Sequence, residues 1–316
     1  MKKLIKKGIK HVVVNTAYHS GLAKLFGSFH GQKVFCVGYH SIRDDKNEEK
    51  LDTSLYHNIS VKKKDFEDQL VFMKKNGHTF LTFKDLERKD LEKIKKPTII
   101  FFDDGFKDVL LNALPVLKKH KIPATLFVTV GLLDRTHILW TIKLRYLLKK
   151  AGLNHKHIEE HIMKLKGLDR EKRNSEIEKI ETKYKVKLDS HCLDIFLNWQ
   201  EVLQLKKDGF EIGSHGIQHE KFSELDPANL HKEINDSKSI IEGKIGKIVA
   251  ISYPYGRTNE KIKNMSKQAG YSYGLGTGHG YNKLHDILTG PFDLKRITPG
   301  PGDSLSRFAV ELYMNI

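Results

Sequence analysis

Two short clusters hold the residues of this chain best suited to chemistry. Phe102-Asp103-Asp104-Gly105 sets adjacent carboxylates after the apolar run Thr98-Ile99-Ile100-Phe101-Phe102. His215-Gly216-Ile217-Gln218-His219 sets two imidazoles four residues apart after Gly209-Phe210-Glu211-Ile212-Gly213. Each cluster stands where a buried strand would end. Together they offer one carboxylate and two imidazoles for a divalent ion, with a second carboxylate beside it. That is the minimum inventory for metal-assisted hydrolysis. Imidazoles at i and i+4 face one side if a helical turn follows the strand. Two neutral imidazoles and a carboxylate suit zinc, with a position left for water, and other first-row ions also fit. Side chains alternate along a strand, so Asp103 and Asp104 reach one place only if the chain turns at Gly105. One can then ligate the ion while its neighbour holds a water. Each motif has an ordinary reading too. An Asp before Gly105-Phe106-Lys107 can cap a helix, and a His can fill a core. Capping accounts for one aspartate, not for two after a buried strand.

The elements that must carry these residues follow a strand-helix rhythm. Strand patterns are expected at Val34–Gly38, Phe80–Phe83, Thr98–Phe102, Ala124–Thr129, Phe210–Gly213, Ile248–Ser252, Tyr271–Leu275 and Leu294–Ile297. Helices are expected near 62–76, 107–120 (with Pro115 as a kink), 199–207, 227–243 and 258–268, with a closing helix from Ser304. Residues 132–198 break the rhythm as two or three Lys/Glu-rich helices and read as an insertion. The alternation predicts a parallel sheet with helices outside, closed as a distorted (β/α) barrel with fewer than eight regular repeats. The two clusters, Pro254-Tyr255-Gly256 and Gly276-Thr277-Gly278-His279 all fall at strand C-terminal ends, the face where barrel enzymes carry their sites. The alternating glycines from Gly274 to Gly280 read as a tight or mobile loop at the cleft. Trp140 and Trp199 read as packing residues.

The 316 residues suit one large domain, here 32–316 after a basic leader at 1–31. Fifty-five Lys and Arg against 39 Asp and Glu give a net charge of +16, which favours anionic partners without choosing among them. No aromatic-basic motif points to nucleic acid. Cys36 and Cys192 are far apart, so two buried thiols are expected rather than a disulfide or a structural zinc. In the leader, Ile5, Ile9, Val12 and Val13 keep helical spacing among Lys2, Lys3, Lys6, Lys7 and Lys10. Asn15, Tyr18, His19 and Ser20 break the apolar run that a signal peptide needs. A basic amphipathic helix lying on an anionic membrane has this pattern, as does a helix packed on the domain or a basic tail. The expected location is cytoplasmic, with the inner membrane face as a possible surface.

The clusters, taken together, resemble the polysaccharide deacetylases, the NodB-homology group of carbohydrate esterase family four. Phe102–Gly105 matches that family's first motif. His215–His219, after Glu211-Ile212-Gly213-Ser214, matches its His-Ser/Thr-x-x-His motif, with Gly216 in place of Ser/Thr. Ser252-Tyr253-Pro254-Tyr255-Gly256 matches its third motif, and Tyr39-His40-Ser41 its opening strand end. The resemblance runs from about Val34 to Ile297. It implies that Asp104, His215 and His219 bind a divalent metal, zinc by expectation, and that Asp103 is the general base. It implies that the Tyr255 backbone N–H helps stabilise the oxyanion. The family's Arg partner for the base is replaced here by Ser252, and Arg296 could reach the site instead. No late Leu-x-x-His motif stands out, so His279 is the candidate acid, ahead of His285. His40, Pro254 and Arg296 are candidates to line the substrate cleft. The activity implied is metal-dependent removal of N-acetyl groups from amino sugars of a polysaccharide or glycolipid. Hydrolysis of small amides or imides on the same scaffold, and a non-catalytic glycan- or membrane-binding relative, are the alternatives.

Overall fold

The computed structural model describes residues 33–44, 52–87 and 90–314. The leader lies outside the described residues.

The described residues form eleven strands: β1 (Lys33–Tyr39), β2 (Ser41–Arg43), β3 (Ser60–Lys62), β4 (Thr79–Leu81), β5 (Pro97–Phe102), β6 (Thr125–Val128), β7 (Glu211–Ser214), β8 (Ala250–Ser252), β9 (Tyr273–His279), β10 (Asn282–Lys283) and β11 (Leu294–Arg296). The main sheet runs β1-β5-β6-β7-β8-β9-β11 with every one of these neighbours parallel, and β10 pairs antiparallel with the outer edge of β1. β4 pairs with the first half of β5, on the edge where β6 takes over the second half. The circuit closes where Ile297, just past β11, meets Val37: Gly38 N–H donates to Ile297 O at 2.9 Å and Ile297 N–H to Cys36 O at 2.8 Å. Seven parallel strands thus form a nearly closed barrel, short of eight as expected.

Strand alternation sorts the core into two layers. Val34, Cys36, Ile99, Phe101, Phe127, Ala250, Leu275 and Leu294 fill the barrel interior. Their neighbours Phe35, Val37, Ile100, Phe102, Leu126, Ile212 and Ile251 face outward under the helices. An added Cβ at Gly38 would strike the Phe101 ring and one at Gly213 the Phe127 ring, so these glycines make room for the interior aromatics. Continuing the interior parity by one step from each strand lands on His40, Asp103, His215, Ser252 and Thr277. The barrel therefore points this set at its own mouth before any loop is considered.

Two local expectations change. The glycines from 274 to 278 are not a loop but the body of β9. They are small because Tyr253, Asp293 and Lys295 lean across them where a Cβ would stand. Phe83 is not in a strand; it starts the short helix Phe83–Leu86, capped by Thr82 and Asp85. The helical segment opens with a wide π turn at Val109–Ala113, and regular helix begins at Leu114–His120.

The insertion forms three helices, Trp140–Lys150, His155–Leu165 and Arg170–Tyr184. They share a small apolar core of Leu144, Leu147, Leu148, Ile158, Ile162, Leu165, Ile177 and Ile180. A second cluster around Leu55, Tyr56, Phe106, Ile142 and Phe196 joins them to the barrel top. The returning chain is pinned there: Lys107 N–H donates to Ile195 O at 2.8 Å and Leu197 N–H to Gly105 O at 2.9 Å. Cys36 and Cys192 are free, buried thiols. Among the described residues no helix is long and apolar enough to cross a membrane.

Candidate active site

The two clusters meet at the barrel mouth. Asp104 Oδ1 lies 3.3 Å from His215 Nε2 and 3.3 Å from His219 Nε2, and the three ligand atoms sit within 4.8 Å of one another. Asp104 has the wrong strand parity to face inward; a left-handed backbone at φ 73° turns it back, followed by Gly105 at φ 96°. His219 and Tyr255 also hold left-handed backbones, at φ 54° and 57°. Such conformations cost a non-glycine residue on the order of 1–3 kcal/mol, and here they converge on one spot.

Three observations test whether these residues fit a cation. First, Asp104 Oδ1 is buried and accepts no hydrogen bond. A buried oxygen normally has a donor, and two imidazole nitrogens facing it without one leave room for an ion. Second, His215 Nδ1–H donates to Ser252 O at 2.6 Å, which leaves the lone pair on Nε2, toward Asp104. Third, Asp104 is held as a carboxylate anion. Burial alone would raise the Asp104 carboxyl, but His219 and His215 outweigh it and hold it well below the usual range. Burial would likewise lower His215, and Asp103 with Asp104 reverses that and raises it. The donor set of two imidazoles and one carboxylate fits zinc or a similar first-row ion.

Asp103 sits beside this trio, its side chain 2 % exposed. Arg296 Nη1 donates to its Oδ2 at 2.6 Å, while its Oδ1 accepts no hydrogen bond. Arg296 itself is fixed by Gly276 O at 2.7 Å, Ser252 Oγ at 2.9 Å and Leu275 O at 3.2 Å. The guanidinium from β11 thus fills the place next to Ser252 where the motif lacks its own arginine. Burial would raise the Asp103 carboxyl, and Arg296 outweighs it, so this group stays ionised.

A cleft of about 630 Å³ opens over the site. His40 and Arg296 line it, as do Asp103, Asp104, His215, His219 and Tyr255. The Tyr255 ring rests 4.9 Å from that of His219, and its hydroxyl accepts from Trp140 Nε1 at 3.3 Å. Two expected residues are not brought in. Pro254 is buried beneath the turn Pro254–Gly256, and its neighbours Tyr253, Tyr255 and Gly256 line the cleft instead. His279 is exposed at the far end of β9, in register with Arg296, and does not line the cleft. It shares the face of Thr277, which does, but two residues of strand rise carry it roughly 7 Å beyond.

Other residues supporting the site were not legible in the sequence. Glu233, from a π turn at Lys232–Asp236, accepts from the backbone N–H of Ile217 at 2.7 Å and of Gln218 at 3.1 Å. This carboxylate shapes the loop between the two histidines. It also explains Gly216: the backbone there has φ 78°, and a Cβ would run into Glu233 Oε2. Trp140, read as packing, is a wall of the cleft. The nearest sequence signal was its place at the start of the insertion. Nothing local marks Glu233.

Residues 90–274 match the family model described as polysaccharide deacetylase. YxkH of Bacillus subtilis (strain 168), a protein named for the same family, is 28% identical over 269 residues, 82% of this chain and 75% of its own length. The poly-beta-1,6-N-acetyl-D-glucosamine N-deacetylase of Staphylococcus aureus is 26% identical over 230 residues, 69% of this chain. This chain spans 61% of the length of that protein. The fold is shared with the Streptococcus pyogenes deacetylase PplD, solved with acetate, at a TM-score of 0.61 and 22% identity, over 88% of this chain and 97% of that one. It is shared also with a de-N-acetylase from Aggregatibacter actinomycetemcomitans, at a TM-score of 0.58 and 17% identity, over 89% and 100%.

Proposed function

The chain belongs to the polysaccharide deacetylase family, and from that premise we propose that it is a metal-dependent hydrolase removing N-acetyl groups from amino sugars of a polysaccharide or glycolipid. One observation carries the reading. A buried carboxylate oxygen faces two imidazole nitrogens, and next to it lies a second, arginine-anchored carboxylate with one oxygen open.

In this reading Asp104, His215 and His219 hold the ion. What a bound divalent ion supplies is charge, which acidifies water and polarises an amide carbonyl. Asp103 is the general base: its Oδ1 accepts the proton of the attacking water. Arg296 keeps Asp103 ionised and fixes the direction of its free oxygen. The Ser252 carbonyl holds the His215 ring in the tautomer that presents Nε2. The backbone N–H of Tyr255, on the turn beside the cleft, donates to the carbonyl oxygen as negative charge builds there. The departing amine needs a proton. His40, which lines the cleft and acts on both carboxylates, takes the role first expected of His279. No serine or cysteine nucleophile is required.

Release of acetate from N-acetylglucosamine oligomers by zinc-loaded protein tests the reading. The Asp103→Asn protein should keep its metal and lose turnover, whereas His215→Ala should lose the metal. Metal-loaded wild type that releases no acetate, or an Asp103→Asn protein with normal turnover, overturns it. Activity confined to small free amides would shift the substrate class instead.

A further inference from the structure

Beyond His219 the cleft continues into a second cavity of about 340 Å³ between the barrel mouth and the insertion. Arg173 lines both spaces, and it is an unusual arginine. It is 7% exposed, its Nε–H has no acceptor, and its nearest carboxylate oxygen, on Glu220, is 3.8 Å away, too far for a hydrogen bond. Its guanidinium lies over the Trp140 ring at 5.0 Å. A buried guanidinium without an acceptor is costly, because its desolvation is not repaid by a partner. Stacking on the indole returns part of this and leaves the donor edges free.

The surroundings do not neutralise it. Arg170 shares the same Glu220 at 3.5 Å, so one carboxylate faces two guanidiniums. Arg135, on the same wall, donates to the backbone carbonyls of Leu193 and Phe196 and so brings charge without an acid partner. Glu178 also lines this cavity, and Lys143 is paired with Glu181 at 3.0 Å. Positive charge remains in excess. The chain of contacts back to the metal site is short: Arg173 stacks on Trp140, Trp140 bonds Tyr255, and the Tyr255 ring rests on His219. A group held by Arg173 would therefore belong to a part of the substrate adjoining the sugar whose acetamide is cleaved.

We propose that Arg173, backed by Arg170, forms an anion subsite that reads a phosphate or carboxylate substituent on the glycan next to the acetylated sugar. The planar fork of a guanidinium matches either group with paired, charge-assisted hydrogen bonds. The inference rests on the deacetylase reading above and names its substrate class: an anionic, not a neutral, N-acetylated glycan. The insertion then serves as the specificity element, while the barrel carries the chemistry.

The test compares kcat/KM for acetate release from three N-acetylglucosamine oligosaccharides with zinc-loaded protein. One is neutral, one carries a 6-phosphate on the adjoining sugar, and one has glucuronate there. Wild type should favour at least one anionic form by about tenfold or more, as charge-assisted bonds imply. The phosphate and glucuronate arms identify which anion the site takes. Arg173→Gln should bring the ratio of anionic to neutral close to one, Arg173→Lys should retain part of it, and higher salt should weaken it. Arg170→Gln, at an exposed position, provides a second variant should Arg173→Gln fold poorly, and it should lower the ratio too. Equal rates on all three substrates, or a preference that survives both Gln variants, overturns the subsite. If no acetylated glycan is turned over, the deacetylase reading fails. The subsite is then decided by calorimetry on the wild type and Arg170→Gln with the same oligosaccharides. Tighter binding of an anionic form that Arg170→Gln weakens supports it, and equal affinities overturn it.

Discussion

Arg296→Met is the most searching perturbation of the site, because it removes charge and keeps most of the side-chain volume. The wild-type guanidinium makes the 2.6 Å ion pair with Asp103, and bonds at 2.7, 2.9 and 3.2 Å to Gly276 O, Ser252 Oγ and Leu275 O. It also lies over the Phe101 ring at 5.2 Å. Asp103 is buried, so the substitution leaves a carboxylate in the interior without its ion-pair partner, with only His215 and His40 acting on it. Breaking a buried pair by removing one partner costs about 3–5 kcal/mol, most of it from the orphaned charge. Urea unfolding of apo protein should show a loss of that size. Arg296→Lys should recover part of it, since one ammonium cannot serve all four acceptors. The origin of the cost is testable by a cycle with Asp103→Asn. If the penalty comes from the stranded carboxylate, the double variant should be more stable than the sum of the single effects predicts, by at least about 1 kcal/mol. Metal affinity should change little, because Arg296 touches no ligand, while acetate release should fall steeply. An Arg296→Met protein with wild-type stability and turnover, or a strictly additive cycle, would refute the reasoning.

Three further outcomes follow from the geometry. Asp108 is fully buried, with Ser41 Oγ donating to it at 2.5 Å, and burial pushes its carboxyl up to about 7. The folded protein then holds a proton there that the unfolded chain has released above about pH 4. Stability relative to Asp108→Asn should therefore fall between about pH 4 and 7, by up to roughly 4 kcal/mol, as followed by urea unfolding across that range; a flat difference would exclude a buried neutral acid. Zinc at a hundredfold excess over its dissociation constant should add about 2.7 kcal/mol to wild-type stability and nothing to His215→Ala, as read from thermal melts with and without chelator. Gly216→Ser restores the residue usual in the family motif but places a Cβ against Glu233 on a φ 78° backbone. It should destabilise by at least about 1 kcal/mol and weaken zinc binding in competition titrations, and a neutral effect would discount Glu233 as the shaper of that loop.

Much of this site could be read from the sequence because parity along a buried strand is a strong constraint. The apolar runs before Asp103 and His215 fix which side chains reach the barrel mouth, and two motifs suffice to bring Asp104, His215 and His219 to one spot. Arg296 was within reach of the same logic, since it follows Leu294 by two and so shares its interior face. His279 failed because parity gives a face and not a distance, and β9 outruns the barrel. The glycines of β9 misled for a related reason. Their smallness answers to Tyr253, Asp293 and Lys295, which come from elsewhere in the chain. Pro254 was placed in the right turn, but the turn presents its neighbours. Glu233, Trp140 and Arg173 matter only through tertiary partners, and no local pattern announces such a pairing.

The insertion departs after the helix Val130–Leu133 and returns at Leu197, where the chain bonds Gly105, and Arg135 ties the outgoing segment of this detour to the incoming one through Leu193 and Phe196. Its two ends are thus stitched together at the rim of the cup, and none of Asp104, His215 and His219 lies between them. A loop closed at its base in this way behaves like a cartridge. Transplanting residues 136–192 from one member of the family to another should exchange what the cup accepts while leaving the ion-holding machinery in register.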